Sequence, residues 1–432
     1  MTSLKPFSAP AAAALNFLWV IDVDYSTRLH HGAMLRYLNY ARQLIAHGHR
    51  VYFLVQSQPD FHREREFLLH LKAEGTITDF YECAYLCPRW KSRLATLSIL
   101  PALGNRWLAS EQKQVADCCR RLAQQLAIDL CIFSNRQLLF LAPRLNHLPR
   151  IIDFGDCFTL YRVREMKLLW RNRDLSGILR CARELAEWYL KERYYSRHSD
   201  ANIAVSPVDK RALDRINARP ANNYVLLNGV SPARSTTLEK VPNRLIFSGN
   251  MNFPPNYESA VWFIDKVLPA VLRAHPDTEF VVAGANPVPQ LLSRAGSRIR
   301  VTGFVQDMAA EIASSALYVA PMIMGGGFKN KVVEALINRT YVAATPMAVE
   351  FLGDEATRLM LIGDSPESLA GHINHFLSQP QTFEPRLAAL HAMVAREFSW
   401  EHRTGELLHI AGQVLGARSR APQPEPAGAV SS

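Results

Sequence analysis

The sequence predicts an α/β protein built from two doubly wound, mostly parallel sheets that face each other across a cleft. Three observations predict it. Short apolar runs of strand length alternate with segments of helical period along most of the chain, the pattern of parallel strands joined by crossover helices. That rhythm stops at a polar, proline-bearing stretch, residues 231–243, and then restarts. The length of 432 residues accommodates two such units with full cores.

In the first half, residues 15–23 read as a strand, 24–32 as a loop and 33–47 as a helix. Leu35, Leu38, Leu44 and Ile45 give that helix its apolar stripe, and Gly48 ends it before a second strand at 51–55. A helix at 61–74 and a strand at 78–81 follow. Residues 86–110 then break the rhythm, mixing Trp90, Leu94 and Trp107 with Arg89, Lys91, Arg93 and Arg106. Such interleaving suits a segment at a membrane surface or a substrate; a plain insertion packed on its own domain fits it equally well. Next come a helix at 111–126, strands at 130–133 and 150–153, and a long helical stretch at 161–198 rich in Arg, Lys and Trp, read as a solvated helical pair. A strand at 201–205 leads to a helix capped by Ser206 and opened by Pro207, then a strand at 223–227.

In the second half, strands are expected at 244–248, 279–283, 299–302, 317–321, 341–345 and 360–363, with helices such as 256–274 between them. A helical stretch at 393–416 is interrupted near Phe398-Ser399-Trp400. The expected organisation is a disordered leader (1–14), a first domain (15–230), a linker (231–243), a second domain (244–397), a closing helix (398–416) and a disordered tail rich in Pro, Ala and Ser (417–432). The apolar stretch 11–21 contains Asn16 and runs into Asp22 and Asp24, so it reads as leader and strand and not as a signal-peptide core.

The formal net charge of +10 suits nucleic acid, an anionic membrane surface or a phosphate-bearing substrate. The charges are dispersed and no nucleic-acid motif appears, so nucleic acid is not an expected partner. Seven cysteines lie in the first half with no C-x-x-C pair, so reduced thiols in a cytoplasmic protein are expected, with no metal site. No uninterrupted apolar run reaches the roughly 18 residues that would mark a membrane span.

The stretch Gly325-Gly326-Gly327-Phe328-Lys329-Asn330-Lys331-Val332-Val333-Glu334 carries the clearest chemistry. It lies between two apolar strands and turns into a helix. Glycines let a ligand approach the backbone amides, and a helix start offers unpaired N–H groups and a partial positive charge to a phosphate. Lys329 and Lys331 add full charges at that end. At helical spacing Val332, Val333, Leu336 and Ile337 should pack on the sheet, with Lys331 and Glu334 together on the other side. A solvated Lys331–Glu334 ion pair is the plainer reading of that side.

With these residues in view, the second half resembles the retaining glycosyltransferases of family four, which have the GT-B fold of two facing Rossmann-like domains, and within them the branch found with exopolysaccharide systems. The resemblance rests on Phe247-Ser248-Gly249-Asn250-Met251-Asn252-Phe253-Pro254-Pro255-Asn256, Val282-Ala283-Gly284, Val301-Thr302-Gly303-Phe304-Val305-Gln306-Asp307, the glycine stretch, Ala344-Thr345-Pro346 and Phe398-Ser399-Trp400-Glu401, in that order. The first half matches more loosely, through His31-Gly32, Val205-Ser206 and Asn228-Gly229-Val230. The resemblance implies that Glu334 holds the ribose hydroxyls of a nucleotide-sugar donor, as a carboxylate suits a vicinal diol. It places Gly326, Gly327 and Phe328 near the diphosphate and sugar, and gives Lys329 or Lys331 the diphosphate charge. Gly249 and Asn250, with the Gly303-Phe304-Val305 loop, fall at the diphosphate and base. Gly32 is the first-domain glycine that closes on the donor.

The sequence also departs from the family. Gly326 stands where the family often has a second glutamate, eight residues before the ribose one. Asn250 and Asn252 replace its Arg and Lys, and Ser134-Asn135 replaces its usual histidine. The exopolysaccharide branch shares the first two departures. Candidate catalytic residues are Asp153 and Asp156 after a buried strand, and His31, where His30 is a neighbour; Asp22 and Asp24 occupy the matching place after the first strand. Carboxylates at strand ends also serve as caps and turn formers. A retaining enzyme of this kind needs no protein nucleophile, since the departing phosphate can assist, and catalysis rests on positioning and charge stabilisation.

The expected activity is therefore transfer of a sugar from a nucleotide sugar to a glycan or lipid-linked acceptor, without a tightly bound cofactor, in the cytoplasm and peripherally on the inner face of the membrane. A catalytically silent scaffold in a polysaccharide assembly is the alternative. A sugar epimerase on the same fold would call for a more acid-rich cleft.

Overall fold

The computed structural model describes residues 14–23, 32–57, 61–83, 109–171, 173–217, 219–232 and 238–420. His31, Asp24 and most of the basic, aromatic segment 86–110 lie outside the described residues.

Two parallel sheets form. The first contains β1 (Asn16–Ile21), β2 (Arg50–Gln56), β3 (Asp79–Cys83), β4 (Leu130–Phe133), β5 (Arg150–Gly155), β6 (Ala201–Ala204) and β7 (Asn223–Val225). Its order is β3-β2-β1-β4-β5-β6-β7. The second contains β8 (Val241–Ser248), β9 (Glu279–Ala283), β10 (Ile299–Gly303), β11 (Ser315–Ala320), β12 (Tyr341–Ala344) and β13 (Leu361–Ile362), ordered β10-β9-β8-β11-β12-β13. The central strands read as continuous apolar runs because helices cover both faces; Phe17, Leu18, Val20, Phe247, Leu317 and Val319 are all fully buried.

Two elements depart from expectation for a local reason. β8 begins at Val241, three residues before the predicted 244. Asn243 there is left-handed (φ 58°), and the ladder to β11 shifts register between Ser315 and Leu317, so a bulge hides the strand's first residues from the alternating pattern. The helix expected at 256–274 is Pro254–Trp262 and Leu268–Ala274 joined by a π turn, Phe263–Val267. Pro269 brings no amide to the helical ladder just there. The helical pair expected at 161–198 is a hairpin of two helices, Phe158–Arg171 and Leu175–Tyr195. Arg173 turns the chain in a left-handed conformation (φ 57°), and Asp174 caps the second helix by accepting from the Gly177 amide at 2.9 Å.

The last helix, Trp400–Arg420, continues past the expected 416. It belongs to the core of the first sheet: Trp400, Leu407, Ile410, Ala411 and Val414 pack there, and Tyr40 meets Trp400 edge-on with ring centres 5.3 Å apart. Gly229 lies against that indole, where a Cβ would come within 2.5 Å of it, so any side chain at 229 would push the helix away. Arg418 pairs with Asp200 at 3.0 Å near the helix end.

Candidate active site

In each sheet the chain leaves two neighbouring strands in opposite directions, β1/β4 in the first and β8/β11 in the second. Such switch points open a crevice beyond the carboxyl ends of the strands. In the second sheet, Ser248 closes β8 with a 2.8 Å hydrogen bond to the Tyr318 hydroxyl of β11. Gly249 follows, and a Cβ on it would lie 2.6 Å from Asn256 Nδ2 and 3.0 Å from Lys331 Nζ. The glycine thus keeps the space into which Lys331 reaches.

Lys331 does not pair with Glu334 on a solvated face. Its ammonium donates to Asn256 Oδ1 at 2.6 Å and sits 4.4 Å from the centre of the Phe247 ring. Burial pushes the Lys331 ammonium down to about 7, and the Glu334 charge offsets only part of that. Burial likewise raises the Glu334 carboxyl above its ordinary value, with Lys331 opposing. Val332, Val333, Leu336 and Ile337 pack inward as the spacing required.

The glycine turn is wired by its carbonyls. Lys329 is 6% exposed and its ammonium donates to the carbonyls of Gly326 (2.6 Å) and Gly327 (3.1 Å), 4.0 Å from Glu350. Arg164, from the first domain's helical hairpin, donates to the Gly325 carbonyl at 2.8 Å and to both Glu350 oxygens at 2.7 and 2.6 Å. The carbonyls of all three glycines are thereby engaged. The amides of Gly325, Gly326, Gly327 and Phe328 donate to no acceptor among the described residues. No side chain caps the helix Asn330–Ile337. Unpaired amides at a helix start, with Lys331 beside them, have the chemistry that suits an anion.

The first domain meets this turn with carboxylates. Asp156 lies against Gly327, where a Cβ would fall 1.8 Å from its Oδ1; Gly327 is also left-handed (φ 71°), so both space and backbone demand glycine. Asp209 Oδ1 would be 3.8 Å from a Cβ on Gly326 and accepts from the Cys157 amide at 2.9 Å. Burial and the Asp156 charge push the Asp209 carboxyl up to about 6. Burial lowers the Lys329 ammonium, while Glu350, Asp156 and Asp209 pull it back.

The structure separates the two aspartates proposed together from the sequence. Asp153 is buried and held by Arg36 at 2.9 Å, and it also accepts from the Gly155 amide at 3.1 Å. Arg36 reaches Asn228 Oδ1 at 2.7 Å, and Asn228 reaches Asn330 at 2.9 Å. This chain links β5 of one sheet to the first residue of the helix that carries Lys331 and Glu334. Asp156 alone of the pair stands at the turn. Phe328 contributes backbone to the turn, while its ring packs on Phe351 with centres 4.3 Å apart. Phe304 is 63% exposed at the end of β10, with Val305 half-buried beside it. Asn250 is exposed and its carbonyl accepts from Asn256 at 2.9 Å. Gly32 opens the helix Gly32–Ala46.

Sequence reasoning missed Asp209, Glu350 and Arg164. Asp209 reads as the third helical residue after Ser206-Pro207, and the Ser206 hydroxyl does accept from its amide at 3.1 Å, which disguises its approach to Gly326. Arg164 and Glu350 are 186 positions apart and meet only in the folded chain. A cavity of about 340 Å³ runs beside Glu334, walled by Met308, Ala309 and Ile312 on one side and Asn228 and Gly229 on the other. Among the described residues no group of three or more His, Cys, Asp or Glu side chains is placed to hold a metal ion.

Two facing parallel sheets, each with a switch point at the carboxyl ends of its strands, define a doubly wound α/β protein of two such units. Solved structures share the whole architecture. A glycosyltransferase from Rickettsia africae aligns with a TM-score of 0.62 at 15% identity, over 94% of this chain and 99% of that one. Anabaena HepE in complex with UDP and glucose aligns with a TM-score of 0.58 at 14% identity, over 94% of this chain and all of that one. In sequence, residues 242–379 match the family described as glycosyl transferases group 1. An uncharacterized 44.6 kDa protein of the cps region of Klebsiella pneumoniae is 26% identical over 141 residues, which is 31% of this chain and 36% of that protein. The chain therefore spans about a third of the length of this curated relative. The fold is GT-B, and the match to glycosyl transferases group 1 falls on its second half, residues 242–379.

Proposed function

We propose that the protein transfers a sugar from a nucleotide-sugar donor to a glycan or lipid-linked acceptor in cell-surface or exopolysaccharide synthesis, with retention of configuration. The observation that carries this reading is the glycine turn: four consecutive amides with no acceptor among the described residues, carbonyls held by Lys329 and Arg164, and the Lys331 ammonium alongside. That arrangement favours a diphosphate. The likeness to a UDP- and glucose-bound structure and to a cps-region protein supports a nucleotide sugar and a polysaccharide setting.

In this reading the diphosphate lies on the turn amides and Lys331 neutralises it as it departs. Glu334 takes the ribose hydroxyls, and the nucleoside fills the cavity along Met308 and Ile312, with Phe304 at its rim. Asp156 faces the acceptor side of the cleft, and Lys329 holds the turn in shape. The departing phosphate assists the acceptor hydroxyl, so the chain's contribution is orientation and charge stabilisation. The reaction takes place in the cytoplasm, with the protein peripheral on the inner face of the membrane; no helix among the described residues is long and apolar enough to cross it.

Thermal-shift screening against nucleoside diphosphates and nucleotide sugars tests the donor site, because a ligand bound only by the folded state raises its apparent stability. One base should stand out, and a donor that stabilises should also be hydrolysed or transferred. No shift with any diphosphate would sink the reading. A shift without turnover, given suitable acceptors, would leave the scaffold alternative.

A further inference from the structure

Among the described residues the three most exposed large apolar side chains lie together, at the far end of the first domain's helical hairpin: Trp170 (72%), Leu175 (73%) and Leu179 (75%). They are not strays. On the second helix, Leu175, Leu179, Ala182, Ala186 and Tyr189 recur every three or four residues and are all exposed, so one apolar stripe runs along the helix. On the first, Val163 and Trp170 are seven apart on one exposed face, with the exposed Lys167 between them. Neither stripe has a partner element among the described residues, whereas the two helices pack on each other.

The exposed charges around the stripe that enter no ion pair among the described residues are basic. Lys167, Arg171, Arg173 and Arg180 are exposed and enter no ion pair among the described residues. The hairpin's acidic residues are engaged elsewhere: Glu165 and Glu184 pair with Arg162, Glu187 with Lys191, and Asp174 with its own helix start. An exposed Trp and Leu cluster ringed by unpaired Lys and Arg has the composition of an element that lies in a lipid interface, with the rings and leucines in the acyl boundary and the cations at the headgroups.

We propose that this hairpin tip, residues 163–183, docks the protein on an anionic lipid surface. Charge decides among occupants. A second copy of the chain would bring the same basic rim face to face with itself, while anionic headgroups complement it. Geometry relates the dock to the cleft: the first helix starts at Phe158, two residues after Asp156, and its 14 residues carry the tip about 20 Å from there. The dock rests on the membrane setting of the proposed function but not on sugar transfer, since lipid binding is measured without donor or acceptor; residues 86–110 play no part in it.

The test is co-sedimentation of the full chain with vesicles of phosphatidylcholine alone and of phosphatidylcholine with phosphatidylglycerol. Binding should require phosphatidylglycerol and fall as salt rises. Two variants separate the contributions: Trp170→Ser with Leu175→Ser and Leu179→Ser, and Arg171→Gln with Arg173→Gln. The exposed positions leave the melting temperature unchanged. The charge pair should lose about fivefold in affinity per residue, and the apolar triple should lose pelleting altogether. Wild-type pelleting by both variants would overturn the proposal. So would loss of binding confined to Arg89→Gln with Lys91→Gln and Arg93→Gln. A dimer in sedimentation velocity that the apolar triple dissolves, with no vesicle binding by the wild type, would overturn it in favour of self-association.

Discussion

The two sheets offer the cleft the same end of the same topology, and dress it with opposite chemistry. At the second switch point, glycines strip away side chains, carbonyls are occupied by cations, and amides and the Lys331 ammonium are left for a ligand. At the first, carboxylates gather: Asp153 is sealed by Arg36, while Asp156 and Asp209 reach across to the glycines of the other sheet. The difference teaches that a doubly wound sheet supplies only a place. Side chains at the strand ends decide whether that place receives an anion or presents one.

The sharpest way to break the comparison is at the point where the two ends touch. Gly327→Ala should cost at least about 2 kcal/mol, roughly thirtyfold in kcat/KM, because the new Cβ is both left-handed and inside the Asp156 carboxylate. Adding Asp156→Gly should recover part of the donor affinity, since it removes the clash and keeps the backbone strain. Donor titrations on the single and double variants check this, and unchanged affinity in Gly327→Ala would show that the two ends do not meet in solution.

Next comes the cation. Lys331→Ala should weaken donor binding by about 1–3 kcal/mol, the range of a charge-assisted hydrogen bond, while Lys329→Ala should act mainly by loosening the turn and lower the melting temperature. The pH dependence has a definite sign. In the proposed site the diphosphate meets the charged ammonium, so wild-type affinity should hold below about pH 7 and fall by up to tenfold per unit above it, and Lys331→Met should show no such slope. Stability runs the other way. With a folded value of about 7 against an ordinary 10.5, the unfolded chain holds more protons between those values, so the Lys331 contribution to stability grows as pH rises through that window. Melting curves of wild type and Lys331→Met from pH 6 to 10 should therefore converge toward high pH.

Smaller again is the ribose contact. Glu334→Gln should raise the donor KM about fivefold with kcat little changed, since the ribose is remote from the breaking bond. A deoxyribose donor should treat the two proteins alike. Equal KM values with the ribose donor would remove Glu334 from the site. The smallest effect is expected at the rim, where Phe304→Ala should cost about 1 kcal/mol of donor affinity and leave the melting temperature unmoved, because the ring is largely exposed. A drop in melting temperature without a change in affinity would mark Phe304 as a packing residue.

Much of this was legible in the chain. β1, β4, β9 and the glycine turn are local patterns: an apolar run long enough for a buried strand, a glycine at a junction, and a helix with one apolar face can be read from neighbours alone. Asn228-Gly229-Val230 was legible as a motif but not as a mechanism, since its roles depend on Trp400 beneath Gly229 and on Asn330 opposite Asn228. β8 was read short because a bulge at Asn243 interrupts the pattern.

By itself, then, the sequence determined the fold class, the alternation of strands and helices, and the stretch on which an anion site could form, because those follow from spacing and from the conformational freedom of glycine. The tertiary structure decided the charges. It turned Lys331 away from its helical neighbour toward Asn256 and Phe247, spent Asp153 on Arg36, and brought Arg164 and Asp209 across from the other sheet to the glycine turn. Spacing along a helix ranks which groups can pair, but desolvation and partners 75 to 161 residues away decide which pairs form, and those terms exist only once the chain has closed on itself.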